Sequence, residues 1–142
     1  MPLWKAPTDL ELIRRWQQDT LDTTLGIEIT EVGADYVRGS MPVDARTRQP
    51  FGLLHGGASV ALAETLGSTA ANLCLQPGTA VAVGLEINAN HLRAVTEGTV
   101  TGTARPIHIG RSTQVWDIRI EDEAGRLTCI ARLTMAVTPR RT

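Results

Sequence analysis

Cysteine is scarce in this chain of 142 residues: two occur, Cys74 and Cys129, far apart and without C-x-x-C spacing. That excludes a disulfide framework and a paired-cysteine metal site, and it reads as two reduced core thiols of a cytosolic protein. A basic excess is also missing. Lys plus Arg number 14 against 15 for Asp plus Glu, a net charge of −1, which argues against a nucleic-acid partner because such domains show a basic face. No uncharged apolar run approaches the roughly 18 residues of a membrane span. Residues 1–7 lack the basic-then-apolar pattern of a secretion signal. Repeats, low-complexity tracts and long linkers are absent too. His55, His91 and His108 show no ligand spacing, so no metal is expected. The expectation is a cytoplasmic chain with no membrane partner, a single domain over 1–142, long enough to bury a real core.

What is present has a clear order. A first helix is predicted over 8–22, capped by Thr8 or Asp9, with Leu10, Ile13, Leu21 and the ring of Trp16 turned inward. A hairpin follows: Ile27, Ile29 and Val32 lie on one arm, 36–43 form the other, and Gly33, Ala34 and Asp35 make the turn. Residues 44–54 read as a loop leading into a helix over 57–73, which stops before Gln76, Pro77 and Gly78. The second half is all strand. Val81, Val83, Leu85, Ile87 and Ala89 alternate with Ala82, Gly84, Glu86 and Asn88, the period of a half-buried strand. Further strands fit 99–107, 112–122 and a last one carrying Leu127, Cys129, Ala131, Leu133, Met135 and Val137 on one side. Long strands with short connections imply an antiparallel sheet curved around one small-residue helix, an α+β architecture.

Inside that helix stands Glu64, with no other charge between Ala58 and Ala71. A helix that is apolar all round is normally buried. Burying a carboxylate there is costly unless it is paired, hydrogen-bonded or neutralised, and no Lys or Arg lies within two turns. Reaction chemistry is the expected reason for keeping it. At the head of the helix, Gly56 and Gly57 place backbone N–H groups without intrahelical partners, backed by the helix dipole; two glycines equally make a tight turn. Ser68, four residues after Glu64, shares its face, and Gln49 carries an amide that both donates and accepts.

The segment Gln49-Pro50-Phe51-Gly52-Leu53-Leu54-His55-Gly56-Gly57, with Glu64 and Ser68 beyond, resembles the active-site segment of hotdog-fold acyl-CoA thioesterases. Within them it resembles the 4-hydroxybenzoyl-CoA thioesterase or PaaI-like branch with a helix-borne glutamate, and there the bacterial 1,4-dihydroxy-2-naphthoyl-CoA thioesterases and the proofreading thioesterases of enterobactin synthesis. Met41 to Asp44, Glu86 to Ala94 and Pro106 to Arg111 carry the likeness over nearly the whole chain. The resemblance implies a hotdog fold, a long central helix wrapped by a curved antiparallel sheet. It implies hydrolysis of an aromatic thioester to free acid and coenzyme A, as in menaquinone biosynthesis, with no cofactor, since coenzyme A is part of the substrate.

It also implies a catalytic set of Glu64, Gly56, Gln49, His55 and Ser68. Glu64 would be a nucleophile or a general base, and the glycine N–H groups an oxyanion hole. For coenzyme A it implies His91, Leu92, Arg93 and Ala94 at a strand end and His108, Ile109, Gly110, Arg111, Ser112 and Thr113 at a turn, with Arg93 and Arg111 suited to phosphates. Gly84 would let the pantetheine lie against its strand, and Phe51 would line the acyl pocket. The assembly implied is a homotetramer, a dimer of dimers joined by edge strands, with each site between subunits. A hydratase or dehydratase and a non-catalytic acyl-CoA binding protein are the alternatives. The first fits the spacing from the two glycines to Glu64 poorly; the second lacks a flanking DNA-binding extension.

Overall fold

The computed structural model describes residues 3–140. Helices α1 (Leu10–Gln17) and α2 (Leu21–Leu25) precede a hairpin of β1 (Glu28–Val32) and β2 (Val37–Pro42). The long helix α3 (Gly56–Leu73) follows, then β3 (Ala80–His91), β4 (Thr99–Ile109), β5 (Thr113–Glu121) and β6 (Leu127–Pro139). The strands form one antiparallel sheet in the order β1-β2-β4-β5-β6-β3. Helix α3 touches β2, β3, β4, β5 and β6, which a flat sheet could not achieve, so the sheet curls around it.

Small residues set that embrace. A Cβ on Gly67 would stand 2.6 Å from a Leu133 methyl, and one on Gly102 2.6 Å from a Leu66 methyl. Helix and sheet therefore approach closer than side chains allow. Leu62, Leu66 and Leu73 of α3 are fully buried against Ile118, Ile120, Leu133 and Met135. This burial of apolar surface is the main favourable term of the fold.

Three expectations need correction. The helix over 8–22 is two helices: Asp19 adopts φ 58°, and Thr20 starts α2, its hydroxyl donating to the Gln17 carbonyl and accepting from the Asp22 N–H. A left-handed residue cannot continue a helix. Trp16, off the face of α1 that buries Ile13 and Gln17, and Leu21 lie on the surface, 56% and 59% exposed, while Ile13 alone of the expected set is fully buried. Strand β3 does not alternate strictly. A bulge between Gly84 and Glu86 shifts its register against β6, so Gly84 pairs with Met135 while Ile87, Ala89 and His91 pair with Leu133, Ala131 and Cys129. One extra residue thus puts Gly84 and His91, seven apart, on the same face, where an unbroken period of two would oppose them.

Candidate active site

The loop before α3 delivers Gln49 and His55. It is pinned by His55 N–H to the Thr47 carbonyl, Leu54 N–H to the Val95 carbonyl (both 2.8 Å) and the Arg48 guanidinium to the Thr96 carbonyl (3.1 Å). His55 is the N-cap of α3, and its Nδ1 accepts the Gly57 N–H at 2.8 Å. An imidazole nitrogen that accepts carries no proton, so the neutral ring bears its proton on Nε2, free on an exposed side chain. The two glycine N–H groups are therefore not equivalent. That of Gly57 is taken, whereas among the described residues no acceptor engages that of Gly56. The helix start offers one unpartnered donor, reinforced by the macrodipole.

Gln49 is half-buried and also partly committed. Its Oε1 accepts the Phe51 N–H and, at 3.5 Å, the Leu53 N–H, which closes the turn and leaves only the Nε2 hydrogens for a ligand. A cavity of about 360 Å³ brings Gln49, Gly56 and Ser59 together with His91, Leu92, Arg93 and Ala94. The His91 ring lies over Gly56, where a Cβ would stand 2.9 Å from His91 Nε2. The first of the two anticipated coenzyme A segments thus meets the head of α3 within one chain.

Glu64 is elsewhere. It is half-exposed rather than buried, a correction to the costly interior position expected of it. Helix α3 is not sealed on this side: Glu64 lines a crevice of about 230 Å³ with Asp22, Thr65, Ser68 and Thr69. Asp22 anchors α2 here, accepting from the Thr65 hydroxyl (3.2 Å) and from Gln17 (3.3 Å). The Glu64 carboxylate presses on Gly84, where any Cβ would overlap Oε2. Gly84 therefore makes room for the acid itself, a role missed in the sequence.

Spacing within the helix separates the two halves. From Gly56 to Glu64 is eight residues, or about 12 Å along the axis, so one thioester carbonyl cannot touch both in one chain. The second anticipated coenzyme A segment, His108 to Thr113, lies at the far end of the sheet from His91. β6 places Cys129 beside His91 and Ala136 beside Thr113, roughly 23 Å apart at the rise of a strand. His108, Ile109, Arg111, Ser112 and Thr113 are exposed around the β4–β5 turn, closed by Gly110 N–H to the Thr113 carbonyl at 2.8 Å. Arg93 and Arg111 make no ion pair among the described residues.

The thiols are unsuited to nucleophilic roles. Burial pushes Cys74 up to about 11 and raises Cys129 as well, so both stay protonated and inert. Among the described residues no cluster of three or more His, Cys, Asp or Glu stands ready for a metal ion. No helix is long and apolar enough to cross a membrane.

Comparison with known proteins gives one consistent answer. Residues 51–129 match the family model of the thioesterase superfamily. The chain is 53% identical over 135 residues to the proofreading thioesterase EntH of Cronobacter turicensis, covering 95% of this chain and 98% of that protein. It is 50% identical to the 1,4-dihydroxy-2-naphthoyl-CoA hydrolase of Escherichia coli, again over 95% and 98%. The crystal structure of a thioesterase from Haemophilus influenzae superposes with a TM-score of 0.94 at 52% identity, covering 96% of this chain and 95% of that one.

Proposed function

The chain belongs to the thioesterase superfamily and is a hydrolase of thioesters with the hotdog fold, and from that premise we propose that it cleaves an aromatic acyl-CoA, of the 1,4-dihydroxy-2-naphthoyl or benzoyl type, in the cytoplasm. The observation that carries the reading is the Glu64 carboxylate, seated on Gly84 at an open crevice with no cationic partner among the described residues. One relative's name specifies an aromatic acyl group, the 1,4-dihydroxy-2-naphthoyl-CoA hydrolase of Escherichia coli. Phe51, 88% exposed on the loop beside Gln49, is an aromatic wall in need of a partner. A thiol-release screen over naphthoyl-, benzoyl- and aliphatic-CoA and carrier-protein thioesters tests the reading. The naphthoyl or benzoyl ester should give the highest kcat/KM, and a preference for short aliphatic esters would sink it.

We place the working site between two copies of the chain. β3 is twelve residues long, lies at the sheet edge and exposes Val83 and Leu85, an edge that proteins do not leave open. With Leu85 bulged out of the register as it is against β6, antiparallel pairing of β3 with its own copy about a two-fold axis at Asn88 sets Gly84 opposite His91 of the partner subunit. Since Glu64 rests on Gly84 and Gly56 lies under His91, that register brings the acid of one chain to the unpartnered N–H of the other. It also carries the partner's Arg93 toward the β4–β5 turn with Arg111, which reunites the coenzyme A segments. Two such dimers stack as a tetramer. A residue on the axis faces itself, so Asn88→Cys should yield a disulfide-linked dimer under mild oxidation, seen on a non-reducing gel, whereas Glu86→Cys should not. Crosslinking through Glu86→Cys alone would reject this register.

In the assembled site the Gly56 N–H and the helix dipole take the charge growing on the thioester oxygen. His55 Nε2–H and the Gln49 amide hydrogens add further donors. Glu64 attacks the carbonyl or removes a proton from water, and Ser68 on the same face steadies it. Arg93 and Arg111 hold phosphates. Gly84→Val drives a side chain into the carboxylate's seat. The expected outcome is a fall in kcat of about two orders of magnitude with an intact fold by circular dichroism, matching the loss of a positioned general base.

A further inference from the structure

The loop before α3 (43–55) and the segment after β3 (92–98) are both irregular, and they hold each other. Among the described residues, every hydrogen bond made by 93–98 runs to that loop. Val43 N–H donates to the Gly98 carbonyl (2.8 Å), Leu54 N–H to the Val95 carbonyl (2.8 Å) and Arg48 Nε to the Thr96 carbonyl (3.1 Å). Of 91–98 only Val95 is buried, so little else fixes this segment. Two of the ties are main-chain; Arg48 makes the third with its side chain. Its Nη2 also donates to the Val43 carbonyl (3.3 Å), so the guanidinium spans from the start of the loop to Thr96. The Arg48 main chain bridges to Leu54 across the loop. Gln49 follows directly, its N–H on the Leu53 carbonyl at 2.8 Å, and lines the same cavity as Ala94 and Val95. Arg48 is exposed and makes no ion pair among the described residues. The fold therefore depends little on it.

We propose that Arg48 is a positioning residue: it ties Gln49 to the segment that takes coenzyme A, so that gripping the nucleotide end of the substrate raises the rate at the thioester end. The inference rests on the reading above, in which His91 to Ala94 hold coenzyme A and Gln49 donates to the thioester. Binding energy from a remote, unreacting part of a substrate can be spent on orienting the reacting centre, and it then shows in kcat as well as in KM. A phosphate held on Arg93 loads the chain three residues before Thr96. From the Thr96 carbonyl the load passes through a planar guanidinium to the residue before Gln49. The Leu54 tie to Val95 acts on the far side of the same turn, so the two ties together fix its tilt as well as its place. Such control matters because a misplacement of about 1 Å can cost about 10²-fold in rate.

Benzoyl and hexanoyl thioesters of coenzyme A and of pantetheine, two thiols that differ by the nucleotide alone, test this by thiol release from the intact protein. In the parent, kcat should be well above that of the pantetheine ester when the nucleotide is present. Arg48→Ala should lower kcat on the coenzyme A ester about tenfold, with KM within about threefold, and leave kcat on the pantetheine ester within about twofold. Its melting temperature should stay within a few degrees of the parent. Arg48→Lys, which keeps a donor for the Thr96 carbonyl, should recover most of the loss. Equal kcat on the two esters in the parent overturns the proposal, as does an equal loss on both in Arg48→Ala, the mark of a loop merely loosened. A raised KM for the coenzyme A ester with kcat intact would make Arg48 a phosphate contact and overturn it too. Failure of the aromatic reading shows separately, as hexanoyl esters outrunning benzoyl esters with either thiol, and the Arg48 comparison is then read from the hexanoyl pair.

Discussion

Glu64→Gln lowers kcat on a naphthoyl- or benzoyl-CoA by about three orders of magnitude or more, within the range a positioned general base supplies and near what loss of a nucleophile costs. The amide keeps the size of the side chain and its place against Gly84 but cannot attack a carbonyl or take a proton. Binding should survive, because the residues proposed to hold coenzyme A are others, so KM should move by only a few-fold and kcat/KM should fall with kcat. The fold is untouched: Glu64 makes no ion pair among the described residues and is half-exposed. Stopped-flow thiol detection against a thermal melt separates the two effects. A Glu64→Gln protein as fast as the parent would remove the acid from the mechanism. A melt lowered by many degrees would instead recast it as a structural group.

The element order and the single buried helix could be read from periodicity because both rest on local pattern. Of the expected inward face of the last strand, Cys129, Ala131, Leu133 and Met135 are buried while Leu127 and Val137 at its ends are half-buried, since a register slip would turn the whole face to water. What escaped is what a period cannot encode. The bulge beside Leu85 is one inserted residue in an otherwise regular alternation, and only pairing with β6 shows it. The break at Asp19 needs a left-handed residue that carries no glycine to announce it. Gly84 looked like a place for pantetheine because an isolated strand glycine signals close approach without saying of what; the approaching group is Glu64 itself.

The site residues show a similar division. Resemblance singled out Gln49, His55, Gly56, Glu64 and Ser68 as candidates, but their grouping in space was not legible. Within one chain they separate into Gln49, His55 and Gly56 at the helix head and Glu64 with Ser68 two turns further on. Sequence order hides the fact that a rigid helix holds these two sets apart, which is why the proposed site draws on a second copy. The same rigidity explains why side-chain hydrogen bonds at the head are spent locally. His55 caps the helix and Gln49 closes its own turn, so the polar groups that keep the loop in place leave a single main-chain donor over.

That donor can be deleted with almost nothing else changed. Proline is well tolerated at the first position of a helix, where its missing N–H has no partner to lose. It also requires the preceding residue to be extended, and His55 already lies at φ −66°, ψ 131°. Gly56→Pro should therefore preserve α3 and the His55 cap on Gly57, at the expense of a small displacement of the exposed His91 ring that overlies it. The expected result is a fall in kcat of about 10²–10³, the effect of removing one oxyanion donor, with a melting temperature within a few degrees of the parent. Gly56→Ala is the control, since it moves His91 in the same direction but keeps the N–H; it should retain most of the activity. Were the alanine and proline variants equally impaired, crowding of His91 would account for the loss, and the oxyanion role of the Gly56 amide would have to be abandoned.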